Sequence, residues 1–346
     1  MMKWSRRNKS LLLENWEMYI SAGMTLHEAV QTSGTAFSKK ENVCIRKIID
    51  SIERGQNLSS ALVGNVNFSP VLLSLIEHGE SSGNLPRALN LARNIIERED
   101  ALIKSCMSAL AYPIIIGVFA CLLTIGLMRG VMPQITPLLK SLHVDLPLIT
   151  KISMYVSDNI VIFGLYILLA LIGLLPASVY LYKKYFKFKL ICHKSILLIP
   201  IVGKLVYQYN LSILGRSLGG LIVSGASLTS SYKNVYQKLF LIPMKLYFEG
   251  QLQDLTRGVS LSTIFANMRN MPTFVVPLIK AGQVSGTLGQ SLIRTSDILD
   301  KDIENILKRL TALIEPIMMI GIGIVVGGIA LSIMLPIYDV SKTLQH

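Results

Sequence analysis

The chain of 346 residues lacks most of the marks of an enzyme or a secreted domain. Its four cysteines, Cys44, Cys106, Cys121 and Cys192, show no paired spacing, which argues against a disulfide framework and against a CxxC metal site. The five histidines, His27, His78, His143, His193 and His346, include no i, i+4 pair, so no helix-borne metal site is expected. There is no GxxxxGK[ST] loop to cradle nucleotide phosphates. No stretch alternates apolar and polar residues for long enough to read as a strand. The opening residues are basic and then amphipathic, interrupted by Glu14 and Glu17. Without an h-region or a cleavage site they are not a signal peptide. No cofactor and no catalytic residue is expected.

Acidic residues are also scarce, 21 against 34 lysines and arginines, giving a net charge of +13. No zinc finger, aromatic RNA platform or helix-turn-helix signature accompanies that charge, so nucleic acid is excluded as the expected partner. The lysines crowd instead at 183, 184, 187, 189, 194 and 204, directly after an apolar run. Each gains about 1 kcal/mol near anionic headgroups, and the lipid bilayer is the partner this charge predicts.

What the chain does have is three apolar runs, at 110–128, 160–181 and 317–337. Each is roughly 20 residues without a charge, the length of a membrane-crossing helix. Prolines and glycines inside the runs are tolerated in a membrane. No ionisable group lies at mid-depth. Basic residues flank the runs at Arg98, Lys104, Lys183, Lys184, Lys308 and Arg309, whereas the connection from 130 to 159 balances Lys140 and Lys151 with Asp145 and Asp158. By the positive-inside rule the basic ends are cytoplasmic, the connection is outside, and the C-terminus emerges outside.

The chain is also a duplication. Gly79-Glu80-Ser81-Ser82-Gly83-Asn84-Leu85 returns as Gly282-Gln283-Val284-Ser285-Gly286-Thr287-Leu288, 203 residues on. The same offset joins Arg54-Gly55 to Arg257-Gly258, Leu58-Ser59 to Leu261-Ser262, and Tyr112-Pro113 to Glu315-Pro316. Further upstream Ile20–Leu26 answers Ile222–Leu228 with the register slipped by one. Such a period means two duplicated domains and not a solenoid.

Each copy reads as helices only. Gly23 and Gly55 are helix-ending residues, Thr25 with Glu28 is a capping box, and Ser69-Pro70 is an N-cap followed by a first-turn proline. Asn57 caps a short turn to Leu62. In the second copy Ser227 caps the second helix, Arg257-Gly258 ends the third, and Met271-Pro272 opens the fifth. In the repeated stretch, Gly79 and Gly282 are expected to end a helix in the left-handed conformation. Gly83 and Gly286 are expected to turn the chain, and Leu85 and Leu288 to anchor the next helix. Glu80 either caps the helix beginning near Leu85 or contacts a partner. Its counterpart is Gln283, so a charge-dependent role belongs to the first copy alone. Gly79-Glu80-Ser81-Ser82-Gly83 matches GxSxG by letter, but a helix precedes it where the nucleophile elbow needs a strand. Gly323 and Gly327 form a small-xxx-small pair for helix packing, Glu315 can snorkel or cap at the cytoplasmic edge, and Arg129 lies at the outer interface.

The expected fold is an all-α membrane protein of two duplicated cytoplasmic six-helix bundles and three transmembrane helices. The divisions are 1–105 first bundle, 106–129 first span, 130–159 periplasmic connection and 160–182 second span. A basic segment and second bundle fill 183–313, then come the third span at 314–338 and a periplasmic tail at 339–346.

These residues resemble the type II secretion F-protein family: Gly23, Gly55, Gly79-Glu80, Gly83, Leu85 and Pro113, their second copies, and Leu146-Pro147-Leu148-Ile149-Thr150 after the first span. The short N-terminus is similar to the pilus-type branch. The resemblance implies a non-enzymatic platform in the bacterial inner membrane, for type IV pilus biogenesis or type II secretion. It implies as partners a hexameric cytoplasmic assembly ATPase, pilin or pseudopilin subunits, other inner-membrane assembly proteins and further copies of the chain in a homo-oligomer. Two rival classes are a small-solute transporter or channel, which would place ionisable groups at mid-membrane or use inverted repeats, and a membrane signalling receptor.

Overall fold

The computed structural model describes residues 4–130, 180–237 and 239–343, with scattered positions between 133 and 178. Most of the second apolar run, most of the outer connection with Leu146–Thr150, and the last three residues lie outside the described residues.

The first repeat is six helices: α1 (Arg6–Ser21), α2 (Leu26–Ser33), α3 (Lys39–Glu53), α4 (Leu58–Leu62), α5 (Pro70–Ser81) and α6 (Leu85–Gly130). Side-chain oxygens open them. Ser5, Thr25 and Ser69 accept from backbone N–H groups of their first turns, and Thr25/Glu28 and Ser38/Glu41 form capping boxes. After an apolar helix, α7 (Phe186–Leu198), the second repeat begins with α8 (Pro200–Val223) and α9 (Leu228–Tyr236). It continues with α10 (Ile242–Gly250), α11 (Leu252–Thr256), α12 (Leu261–Ala266), α13 (Val275–Val284) and α14 (Leu288–Thr343). No strand occurs among the described residues. The helix equivalent to α3 is thus in two pieces. Gly250 stands where the first copy has Lys47, and a mid-helix glycine weakens the helix by about 1 kcal/mol. The one-residue slip falls in α9, nine residues against eight in α2.

Three corners per repeat end in the same way. Gly23, Gly55 and Gly83 have φ of 92°, 81° and 68°, and Gly225, Gly258 and Gly286 have 96°, 92° and 69°. At each, the next N–H returns to a carbonyl five residues back: Met24 to Tyr19, Gln56 to Ser51, Asn84 to Gly79, and likewise Ala226 to Leu221, Val259 to Asp254, Thr287 to Gly282. Only glycine adopts this backbone without a penalty of about 1–2 kcal/mol.

Two expectations fail here. Gly79 and Gly282 are not the left-handed residues; both lie inside helices, α5 and α13, which run on for two more residues. The reason is steric, as the next section shows. The fifth helix of the second copy also starts later than Met271-Pro272, at Val275. Ser69 offers an oxygen to the N–H of Leu72, whereas Met271 has none to offer. A turn through Asn270 (φ 64°) and a Val275 N–H bond to the Pro272 carbonyl come first.

The chain forms two compact units. One joins Met1–Lys104 with Leu190–Ile306; the other joins Ser105–Lys189 with Leu307–His346. In the first unit both repeats share one apolar core, in which Leu12, Trp16, Ile48 and Leu75 of the first copy and Leu214, Tyr232, Phe248 and Phe265 of the second are buried. Each such side chain contributes roughly 1.5–3 kcal/mol. α5 packs on α8 and α9, and Asn234 Nδ2 donates to Ser74 Oγ across the repeats at 3.3 Å.

In the second unit the described residues are chiefly the distal parts of α6 and α14. Two helices, Leu85–Gly130 and Leu288–Ser332, are long and apolar enough to cross a membrane. Their contacts ascend together: Thr311 Oγ1 with the Ala109 carbonyl, Met318 near Gly117, Ile329 packed with Met128. The two helices therefore run parallel. A pair bent by 114°, α7 with α8, passes the same test of length and composition. Its second member carries the buried Arg216 and belongs to the core of the first unit.

Candidate functional site

The repeated corner is built from three local demands. The first is close approach. A Cβ on Gly79 would run into the Ala88 Cβ of α6, and one on Gly282 into the Ser291 side chain of α14. Glycine here lets two antiparallel helices touch backbone to side chain. The second is the left-handed turn at Gly83 and Gly286. The third is an anchor: Leu85 and Leu288 are half-buried against the core.

Glu80 does cap a helix, but not the one beginning at Leu85. Its Oε1 accepts from the Leu58 backbone N–H at 2.8 Å, at the start of α4. Gln283 Oε1 accepts from the Ser262 N–H at 3.0 Å, at the start of α12. Asn57 and Leu58 open a short helix without a side-chain cap of their own, so the oxygen arrives from 22 residues away. The task needs an acceptor and no charge, which the Glu-to-Gln exchange between copies satisfies. Oε2 of Glu80 is buried without a hydrogen-bond partner. The GxSxG likeness ends at this corner. Helix precedes Ser81, and its hydroxyl donates to the His78 carbonyl at 3.1 Å.

A second duplicated feature ties the first helix of each repeat to its long helix. Ser10 Oγ donates to Glu97 at 2.7 Å, and Ser212 Oγ donates to Asp300. Ser10 and Ser212 are 202 apart, Glu97 and Asp300 203 apart, matching the slipped and unslipped registers. In the first copy the site is at the surface, with Arg93 near Glu14 and Glu97 at 3.4 and 3.8 Å. In the second it is inside. Arg216, buried, reaches Asp297 at 2.9 Å and Asp300 at 2.5 Å. Burial pushes the Asp300 carboxyl above the usual range, opposed by Ser212 and Arg216. Glu99 of α6 lies near the same arginine and is pushed up by burial too, opposed by Arg6, Lys9 and Arg216. These charges sit where the two copies meet: Ile95, Arg98 and Glu99 line one small pocket with Ser212, Arg216 and Asp300. A third pair follows the slipped register. Asn8 donates to Glu41 at the start of α3, and Asn210 Oδ1 accepts from Phe240 and Leu241 N–H groups before α10. The paired offsets of Asn8/Asn210 and Ser10/Ser212 were a signal already present in the sequence.

The remaining expected positions lie on the two long helices, apart from the corner. Pro113 sits inside unbroken α6, where it removes the N–H that would bond the Ala109 carbonyl. Thr311 Oγ1 of the parallel helix lies 3.5 Å from that carbonyl, while making its main bond to Leu307 O at 3.0 Å. Neighbouring hydroxyls are the usual remedy for a proline inside a membrane helix. Glu315 and Pro316 are exposed within α14. A Cβ at Gly323 or Gly327 would meet nothing within 4 Å, whereas one at Gly117 would meet Met318 at 3.7 Å.

The sequence profile described as "Type II secretion system (T2SS), protein F" matches twice, over residues 12–133 and 215–336. The chain belongs to that family. Among curated T2SS protein F relatives, it is 26% identical over 311 residues to "Type II secretion system protein F" of Xanthomonas campestris, covering 88% of this chain and 75% of the relative. It is 24% identical over 328 residues to "Type IV pilus assembly protein PilC" of Pseudomonas aeruginosa, covering 93% and 87%. With the protein of the same name from Thermus thermophilus the figure is 27% over 335 residues, covering 94% and 80%. The two family segments coincide with the two structural repeats: each begins inside a first helix, α1 or α8, and ends beyond the apolar part of α6 or within that of α14. Both carry the corner at Gly79 and Gly282.

Proposed function

We propose that this T2SS protein F family member is the inner-membrane platform of a type IV pilus or related type II secretion machine. In this reading it couples a hexameric cytoplasmic assembly ATPase to the lifting of pilin or pseudopilin subunits, and it catalyses no reaction itself. The observation that carries the reading is the continuity of α6 and α14. Each runs without a break from the glycine corner at Gly83 or Gly286 into its apolar stretch. An unbroken helix advances about 1.5 Å per residue along one axis, which supports a reading in which displacement passes along it. The relatives named for pilus assembly and for secretion support the machine; the basic residues beside the apolar runs support cytoplasmic bundles, with the C-terminus outside. The parallel course of α6 and α14 fits repeats of one membrane sense, unlike the inverted repeats common in transporters. Glu80, Gln283 and their corners are candidate contacts for partners, and Gly323 with Gly327 is a candidate seam for a further helix or a second copy.

The test inserts Gly-Gly-Ser after Lys104 in α6 and, separately, after Ile306 in α14. Membrane insertion and ATPase capture from solubilised membranes should persist, while surface pili or secreted substrate are lost. Full assembly in both insertion variants would overturn the coupling, and failure to capture any hexameric ATPase would overturn the platform reading.

A further inference from the structure

The second repeat has an open cleft that the first repeat keeps closed. In the first, Trp4 precedes α1 and lies between the start of α3 and the loop before α5. Its backbone N–H donates to Asn67 Oδ1 at 3.0 Å, and its ring meets the Phe37 ring edge-on at 5.4 Å. Lys9 Nζ closes the place from the other side, donating to the Asn67 carbonyl at 2.5 Å. Trp4 is buried. The equivalents of Trp4, Phe37 and Asn67 are Val206, Phe240 and Asn270. There α8 begins six residues before Val206, at Pro200. The segment before it is α7, whose buried His193 meets the Phe240 ring at 4.8 Å and accepts from the Ile242 N–H at 3.1 Å, leaving the Asn270 side uncovered. A cleft of about 790 Å³ remains, walled by Tyr207, Met244, Tyr247, Pro272 and Phe274.

The cleft has an unanswered polar group. Gln208 is 2% exposed, lines the cleft, and its Oε1 has no hydrogen-bond partner. A buried acceptor left without a donor costs about 1–3 kcal/mol, which an occupant bearing an N–H would recover. At the rim Lys204 and Arg269 are exposed and make no ion pair among the described residues, against the single acid Asp302.

We propose that this cleft docks a peptide segment of a partner protein presenting an aromatic side chain flanked by acidic residues. The aromatic ring packs among Tyr207, Tyr247 and Phe274 beside Asn270, the equivalent of the Asn67 that Trp4 meets in the first repeat, and a peptide N–H answers Gln208. Flanking carboxylates meet Lys204 and Arg269. A polypeptide is favoured over a lipid headgroup because the equivalent place is filled by polypeptide, and because an aromatic and proline wall suits a flat ring. The site stands apart from the platform reading, since it is assayed without pilus assembly or an ATPase.

The experiment titrates the full chain in detergent with a fluorescein-labelled peptide, Asp-Glu-Trp-Glu-Asp, followed by anisotropy. Saturable one-site binding is expected, weakened at least about tenfold when the probe tryptophan becomes alanine. Met244→Trp, which fills the cleft, should abolish it, and Gln208→Leu and Arg269→Glu should each weaken it several-fold, with helical content by circular dichroism unchanged. No saturable binding, equal binding of the alanine probe, or native-like Gln208→Leu and Arg269→Glu variants that bind as well as the parent would each overturn the proposal. Displacement by phosphatidylglycerol with no dependence on the probe tryptophan would assign the cleft to a headgroup instead, and overturn it too.

Discussion

The two repeats solve one folding problem with different side chains, and the comparison separates what the fold demands from what each copy has made its own. Glycine at the helix contact, glycine at the turn and an oxygen on α4 or α12 recur in both. The polar tie between first and long helix also recurs, but its surroundings do not. Around Ser10 and Glu97 it is a surface feature; around Ser212, Asp300 and Arg216 it is buried where the copies meet. The same bond is thus dispensable in one setting and costly to break in the other.

That contrast is broken most directly by Arg216→Ala, which strips the buried Asp300 of its ion-pair partner. We expect a loss of about 3–5 kcal/mol in thermal unfolding of the detergent-solubilised chain. Glu97→Ala, at the first-copy counterpart of Asp300, should cost no more than about 1 kcal/mol. Equal losses would show that the two ties are equivalent after all. Trp4→Ala should fall in a similar range, about 3–5 kcal/mol, while Val206→Ala, which shortens a smaller and only partly buried side chain, should cost less.

Gly79→Ala and Gly282→Ala come next, at about 1–3 kcal/mol each, because the added methyl collides across the helix contact. Glu80 sharpens the comparison further. Glu80→Gln should be within about 0.5 kcal/mol of the parent, and Glu80→Ala should lose about 1–2 kcal/mol with the cap. A large loss in Glu80→Gln, read in the same melts, would mean that charge matters in the first copy alone.

The smallest expected effect is on pH dependence. Burial raises the Glu99 carboxyl in the folded state. The folded chain therefore holds that proton to higher pH than the unfolded chain does. Its contribution to stability is fully present below the ordinary value of 4.5 and is lost as pH rises through the raised one. Glu99→Gln should flatten that decline, seen as melting temperatures that fall less between pH 4.5 and 7 than those of the parent. An unchanged profile would place Glu99 in water.

Much of this could be read from the residues alone. Thr25 with Glu28, Ser69 with Pro70, and the glycines at 23, 55 and 83 announce their corners within a few positions, because capping and left-handed turns are local. Gly79 was misread because two helical glycines look alike in a string: its neighbour Ala88 is nine residues on, in another helix. For Glu80 the nearer helix and an outside partner are the roles the string offers, while the N–H it accepts from lies 22 residues back. The shared core of the two repeats and the cleft beside Gln208 depend on which faces meet, and periodicity within one helix carries no information about that. The first and third apolar runs are legible as candidate spans because length and lack of charge suffice for them.

The corner also constrains how the chain can drift over generations. Glutamate and glutamine codons differ by a single base, and both residues supply the oxygen that α4 and α12 need, so position 80 and its copy can be exchanged in one step. No codon change away from glycine avoids adding a carbon, so Gly79 and Gly282 have no permitted neighbour. A motif that reads as one word is therefore, at adjacent letters, both rigid and free.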